Sequence, residues 1–197
     1  DVDPKTYNID PESIKEKITD KTKAIIPVHY TGQPCEMDKI KEIANKNNLI
    51  LIEDGAHAVG ALYKDQKIGS IGDLTTFSFH PVKNMTTGEG GMVTTDSKEL
   101  YDKLIKFRTH GITKDESEYI NPSHGPWYHE QQELGYNYRI TDIQAALGIT
   151  QLEKLDKFLV RRREIVNRYN NEFKDINGLI IPEQLKNTNS AWHIYVL

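Results

Sequence analysis

Short apolar runs alternate with longer amphipathic stretches, and the alternation predicts strands joined by helices. The run over 24–29 reads as a strand, although Pro27 must then lie where no ladder donor is needed. Residues 36–48 follow with Met37, Ile40, Ile43 and Ala44 on one helical face, and Leu49-Ile50-Leu51-Ile52 is a continuous apolar strand. Strand, helix, strand at this spacing makes a right-handed crossover, so a mostly parallel sheet covered by helices is expected. Residues 74–79 and 91–95 supply two more strands, and Gly90-Gly91 permits a tight approach between them. A weak helix is expected over 11–19, with Asp10 as N-cap and Pro11 at its first position, and another helix over about 97–108. The stretch 111–138 is polar, aromatic and broken by Pro122, Gly125 and Pro126. From Thr141, a suitable N-cap, one long helical pattern runs to about Ile176, with Leu152, Leu155, Leu159, Val166, Tyr169 and Phe173 at three- and four-residue steps. The last residues, Trp192 to Leu197, read as a strand.

These elements predict a large domain over 1–150, a connecting helix over 151–177 and the start of a small C-terminal domain over 178–197. With no initiator methionine and an apolar strand at its end, the chain reads as an internal piece of a longer protein. Its 197 residues, 37% hydrophobic and 27% charged, describe a soluble globular protein. A net charge of -4 argues against a nucleic-acid partner, and Arg161-Arg162-Arg163 reads as a solvated helix face. No apolar stretch approaches the roughly 20 residues of a membrane span. Cys35 is the single cysteine, which excludes an internal disulfide and fits a cytoplasmic protein. None of the seven histidines has the spacing of a zinc motif, so no metal is expected.

The chemistry gathers in two places. The strand ending at Ile52 leads into Glu53-Asp54-Gly55-Ala56-His57, and a later strand leads into Ser78-Phe79-His80-Pro81-Val82-Lys83-Asn84. Ligands of parallel sheets collect beyond the carboxyl ends of the strands. A carboxylate at one such end and a lysine beyond another form a possible pyridoxal phosphate (PLP) site: the lysine would hold the aldehyde as a Schiff base, and the aspartate would keep the pyridine nitrogen protonated. The turn Thr86-Thr87-Gly88-Glu89-Gly90-Gly91 lacks the order of a phosphate-binding P-loop and precedes a strand rather than a helix. No G-x-G-x-x-G opens a helix after a strand, which disfavours a nicotinamide enzyme.

Both blocks, with Gly135-Tyr136-Asn137-Tyr138-Arg139, resemble the signatures of the DegT/DnrJ/EryC1/StrS family of PLP-dependent sugar aminotransferases, in order and at about the family's spacing. The resemblance covers essentially the whole chain. It implies an α/β fold of the aspartate aminotransferase-like type (fold type I), here an incomplete fragment. Within the family, Gly125-Pro126-Trp127-Tyr128 and the run from Gln132 to Gln144 look most like the transaminase of pseudaminic acid synthesis, which makes UDP-4-amino-4,6-dideoxy-N-acetyl-β-L-altrosamine. The implied reaction moves an amino group, from glutamate, to the keto carbon of a nucleotide-linked 4-keto-6-deoxy sugar.

By this resemblance Lys83 is the Schiff-base lysine, and it would shuttle a proton between substrate carbon and cofactor, help worth on the order of 10²–10⁴-fold. Asp54 is the partner of the pyridine nitrogen; it could equally cap a helix. Glu53 should face the opposite side of the strand and is assigned no role. His57 stands where the family places a side chain near the cofactor's phenolic oxygen, though a lone histidine is also an ordinary core residue. Ser78 matches a phosphate ligand, or bonds the backbone. Asn137 matches a residue reaching the cofactor phosphate of a neighbouring subunit, which would make the enzyme a homodimer with shared sites; as a bare sequence feature it is a turn asparagine. Trp127, Tyr128 and Arg139 suit either a uridine diphosphate or packing. The family's upstream phosphate loop and its stacking aromatic are expected to lie outside this chain, which predicts an inactive fragment. Two alternatives stand beside the aminotransferase. One is a PLP-dependent sugar dehydratase, whose members replace the lysine with histidine; the other is a non-catalytic dimeric relative.

Overall fold

The computed structural model describes all 197 residues, and their contacts divide into two compact units, Asp1–Thr95 with Asp142–Leu197, and Asp96–Thr141. In chain order the first unit holds α1 (Pro11–Lys17), β1 (Ala24–Ile25), α2 (Met37–Lys46), β2 (Ile50–Asp54), β3 (Leu62–Tyr63), β4 (Gln66–Lys67), β5 (Leu74–Ser78) and β6 (Gly91–Thr94). The second unit contributes α3 (Lys98–Arg108), β7 (Ile112–Thr113) and β8 (Glu130–Gln131). The first then resumes with α4 (Asp142–Leu152), α5 (Leu155–Phe173) and β9 (Thr188–Asn189).

The main sheet has the order β1-β2-β5-β6, with the first two pairings parallel and the last antiparallel. It is the expected mostly parallel sheet, and the crossover from β1 to β2 runs through α2. That helix forms because Met37, Ile40, Ile43 and Ala44 fall on one face, and all four are buried in the core. α1 starts as its sequence dictates: Asp10 caps it by accepting the Glu12 N–H at 3.0 Å, and Pro11 occupies the first turn. At the β5–β6 hairpin, a Cβ on Gly91 would stand 2.6 Å from the carbonyl oxygen of Phe77, so the strands can approach only with glycine there.

Four expectations change. The strand expected over 24–29 shrinks to Ala24–Ile25, because Pro27 offers no N–H; the chain still follows β2, with Val28 bridging Asp54. The single helix expected over 141–176 is two, broken at Glu153-Lys154. Leu155 and Leu159, at the start of α5, pack over the backbone at Gly60 (φ +82°), while Leu152 on α4 is exposed. Trp192 to Leu197 form no strand, since Ala191 and His193 give their N–H groups to the carbonyls of Gly32 (2.9 Å) and Thr31 (2.7 Å). The arginine run is not simply solvated. Arg161 pairs with Glu164 at the surface, but Arg162 turns in and donates to the carbonyls of Trp192 (3.0 Å) and His193 (3.2 Å). No helix is long and apolar enough to cross a membrane.

Candidate active site

β1, β2 and β5 run parallel, so their carboxyl ends share one edge of the sheet, and antiparallel β6 begins there with Gly91 opposite Ser78. The strand period then sorts the end of β2. Glu53 points into the core, and half-buried Asp54 points the other way. The Asp54 backbone is pinned on both sides: its N–H donates to the carbonyl of Pro27 at 2.9 Å, and its carbonyl accepts the His29 N–H at 3.1 Å. Its Oδ1 accepts the Ala56 N–H at 3.0 Å, closing the tight turn that carries the chain to His57.

The His57 ring lies 4.5 Å from that of His193 and 6.0 Å from that of Tyr30, centroid to centroid. Its Nδ1 is buried and meets no protein partner. Burial, then the nearby positive charge of Lys83, pulls the His57 pKa below the usual 6.5, and Asp54 opposes this only in part. The charges of Asp54, at the end of β2, and of Lys83, from the loop after β5, both act on His57. Lys83 itself is half-buried in the loop after β5, where its N–H donates to the His80 carbonyl at 3.0 Å. The loop is tied down next door: buried Asn84 donates from Nδ2 to the Ala191 carbonyl at 2.9 Å, while its Oδ1 has no protein partner. Ser78 ends β5, and its Oγ accepts the His80 N–H at 3.4 Å. Beyond it, the Thr86–Gly91 turn folds back on Phe79, whose carbonyl accepts the Thr87 N–H and the Thr86 hydroxyl, each at 3.0 Å, while the Thr87 hydroxyl donates within the turn to the Glu89 carbonyl at 2.6 Å.

Asn137 is not among these residues. It lies exposed in the second unit, where it bridges Thr109 in an antiparallel contact beside the stacked rings of Tyr136 and Tyr138, 4.8 Å apart. Tyr128, in the same unit, donates its hydroxyl to Glu130 at 2.8 Å, which is a packing role; Trp127 is exposed.

Several residues at or behind the site escaped the sequence reading. Glu53 is fully buried and accepts from His29 Nε2 (2.9 Å), the Gly72 N–H (2.7 Å) and the Thr75 hydroxyl (2.9 Å). Burial alone would raise its pKa, but these donors hold it below the usual carboxylate value. His193 faces His57 from the far end of the chain, and Arg162 anchors that segment. Glu53 continues the inward-facing period set by Leu51, a signal that could have found it. Nothing local marks His193.

Comparison with known proteins places the chain in a family. A profile of the DegT/DnrJ/EryC1/StrS aminotransferase family matches residues 1–197. The chain is 43% identical over 195 residues to GDP-perosamine synthase of Escherichia coli O157:H7, covering 99% of this chain and 49% of that protein. It is 45% identical over 170 residues to UDP-4-amino-4,6-dideoxy-N-acetyl-beta-L-altrosamine transaminase of Campylobacter jejuni, covering 85% of this chain and 43% of that protein. Among solved structures it superposes on Helicobacter pylori PseC, an aminotransferase of pseudaminic acid biosynthesis, with a TM-score of 0.87 and 34% identity over 95% of this chain and 48% of that one. The chain spans about half the length of the curated relatives it matches.

Proposed function

The chain belongs to the DegT/DnrJ/EryC1/StrS aminotransferase family, and from that premise we propose that it forms the centre of an enzyme transferring an amino group to the keto carbon of a nucleotide-linked sugar. Family membership implies pyridoxal phosphate as cofactor. When bound, that group supplies an electron sink at the carbon undergoing transfer. The residues at the sheet edge fit it by type. Asp54 is an acceptor for a protonated ring nitrogen, Ser78 offers a hydroxyl to a phosphate oxygen, and His57 offers a buried nitrogen that has no protein partner. Lys83 would hold the cofactor through its amine and, when free, would move a proton to or from the reacting carbon. Asn137 reaches the phosphate of a neighbouring subunit, so the working unit is a homodimer. On this reading the substrate is a 4-keto-6-deoxy sugar, a class supported by the 4-amino-4,6-dideoxy sugar in the name of the Campylobacter relative, and the donor is glutamate. The boundaries at 150 and 177, between large domain, connecting helix and small domain, belong to the same reading.

The observation that carries this proposal is placement: Asp54 ends β2, His57 follows it by three residues, and Lys83 lies in the loop after β5, beyond the carboxyl end of the neighbouring parallel strand. The test is borohydride reduction of the full-length protein with pyridoxal phosphate, followed by peptide mass spectrometry. The expected result is a reduced adduct on Lys83, absent from Lys83→Ala. An adduct on another lysine, or none, would overturn the assignment.

A further inference from the structure

The segment 190–193 is held to the site by five hydrogen bonds from three separate parts of the first unit. Ala191 and His193 donate to the carbonyls of Gly32 and Thr31, Arg162 donates to the carbonyls of Trp192 and His193, and Asn84, next to Lys83, donates to the Ala191 carbonyl. At Gly32 (φ +98°) a Cβ would stand 2.9 Å from the His57 carbonyl oxygen, 2.9 Å from the Trp192 nitrogen and 3.1 Å from the His193 nitrogen, so a glycine lets the two histidine-bearing segments close on each other. The result of this anchoring is one contact: the His193 ring against the His57 ring at 4.5 Å, tilted by 49°.

We propose that His193 is a positioning residue for His57, its ring covering that imidazole and fixing it in one orientation at the cofactor edge. This rests on the proposed function for its meaning, though not for its test. The groups facing His57 are Lys83 from the loop after β5, Asp54 from β2, Tyr30 from the turn after β1, and His193. Those facing His193 are His57, Lys83 and Arg162. Burial first, and then the titratable His57 ring and the cations Lys83 and Arg162, push the His193 pKa down to about 4. His193 is therefore neutral near neutrality, and its removal takes away cover rather than charge. The Nδ1 atoms of both rings are buried without protein partners, so neither ring is oriented by a protein hydrogen bond at that atom; packing does it instead.

The test reads His57 directly, in the full-length protein without cofactor, by following its ring proton through a pH titration by NMR. His193→Ala uncovers His57, so its midpoint should rise toward the ordinary value of 6.5. His193→Phe restores the cover without a titratable ring, and the midpoint should stay where it is in the unmodified protein. Should His193→Ala fail to fold, His193→Gln, which also lacks the ring, serves with the same expectation. An unchanged midpoint in the ring-less variant, or the same rise in His193→Phe, overturns the inference. Borohydride trapping on Lys83 in the unmodified protein is run alongside: if trapping fails while the His57 shifts appear, the proposed function falls and the His193–His57 coupling stands.

Discussion

Glu53 and Asp54 are neighbours with the same chemistry, and the two-residue period of β2 sends them into opposite surroundings. Asp54 reaches the sheet edge; Glu53 enters the core and must find its donors there. His29 supplies one, and the bonding pattern fixes its tautomer. Its Nδ1 accepts the Cys35 N–H at 3.1 Å, so the ring hydrogen sits on Nε2 and is given to Glu53 at 2.9 Å. The buried Cys35 thiol is in turn pushed well above its usual pKa by burial and by the Glu53 charge, so it stays protonated and donates to the Val28 carbonyl at 3.1 Å. His29→Ala strips Glu53 of one of its three donors while leaving the carboxylate buried, a change that costs about 1–3 kcal/mol. Denaturant unfolding of the full-length variant checks it, and a loss below about 1 kcal/mol would show that the pair contributes no such support. The His29 main-chain N–H also donates to the Asp54 carbonyl at 3.1 Å, so a variant that survives folding but loosens this segment should bind cofactor more weakly. Sequence reasoning singled out Asp54, His57, Ser78 and Lys83 as candidates because each sits in a local motif. It dismissed Glu53 because orientation on a strand says where a side chain points, not what waits for it.

At the scale of elements, legibility followed how much of an element's pattern is decided locally. α2 and the cap of α1 were readable because the apolar face and the Asp10–Pro11 start are both written within a dozen residues. The break between α4 and α5 was not, since the apolar steps run on through Leu152 and Leu155 without a glycine or proline to stop them. What stops them is tertiary. Leu159 Cδ1 occupies the space beside Gly60, a residue ninety-nine positions earlier in the chain, and α5 turns to keep that contact. Leu159→Ala should therefore cost about 2–5 kcal/mol, the range for truncating a buried leucine. Gly60→Ala should cost as well, because it meets Leu159 and must hold a φ of +82°. If the two effects were fully additive in the double variant, the contact would not be what couples α5 to this turn. The segment 190–197 shows the same limit: its apolar sequence suits a strand, but its donors are taken by the loop at Thr31 and Gly32.

The whole molecule responds to acid through these buried groups, and the sign is the same for each. The pKa of His193 is lowered to about 4 and that of His57 lies below 6.5, so between those values the unfolded chain binds more protons and stability falls as the pH drops. Glu53 acts lower: its contribution is present above the unfolded value of 4.5 and is lost as the pH falls through its depressed folded value. In the second unit Glu130, held at about 2 by the N–H groups of Ile120 and Asn121 and the Tyr128 hydroxyl, is lost last. Thermal unfolding of the full-length protein should thus show a melting temperature that begins to fall below about pH 6.5, with His193→Phe flattening the upper part of the decline. A second whole-molecule property follows from surface rather than charge. α4 is apolar on nearly every side, and Ile143, Leu147, Ile149 and Leu152 are all exposed, as are Met92 and Val93 on β6 and Ile26 and Val28 beside β2. A helix apolar all round is stable in water only when something covers it, and an exposed apolar sheet edge invites pairing with another chain. The matched relatives are about twice as long, which leaves ample chain to provide such cover in a protein of their length. The 197-residue chain purified alone should accordingly self-associate, bind an apolar dye and show no useful transaminase turnover, whereas a chain of the relatives' length should be dispersed, dye-silent and active. Size-exclusion chromatography with dye fluorescence and a steady-state assay decides it: a dispersed, dye-silent and fully active short chain would mean that these apolar faces need no cover and that the site is complete without it.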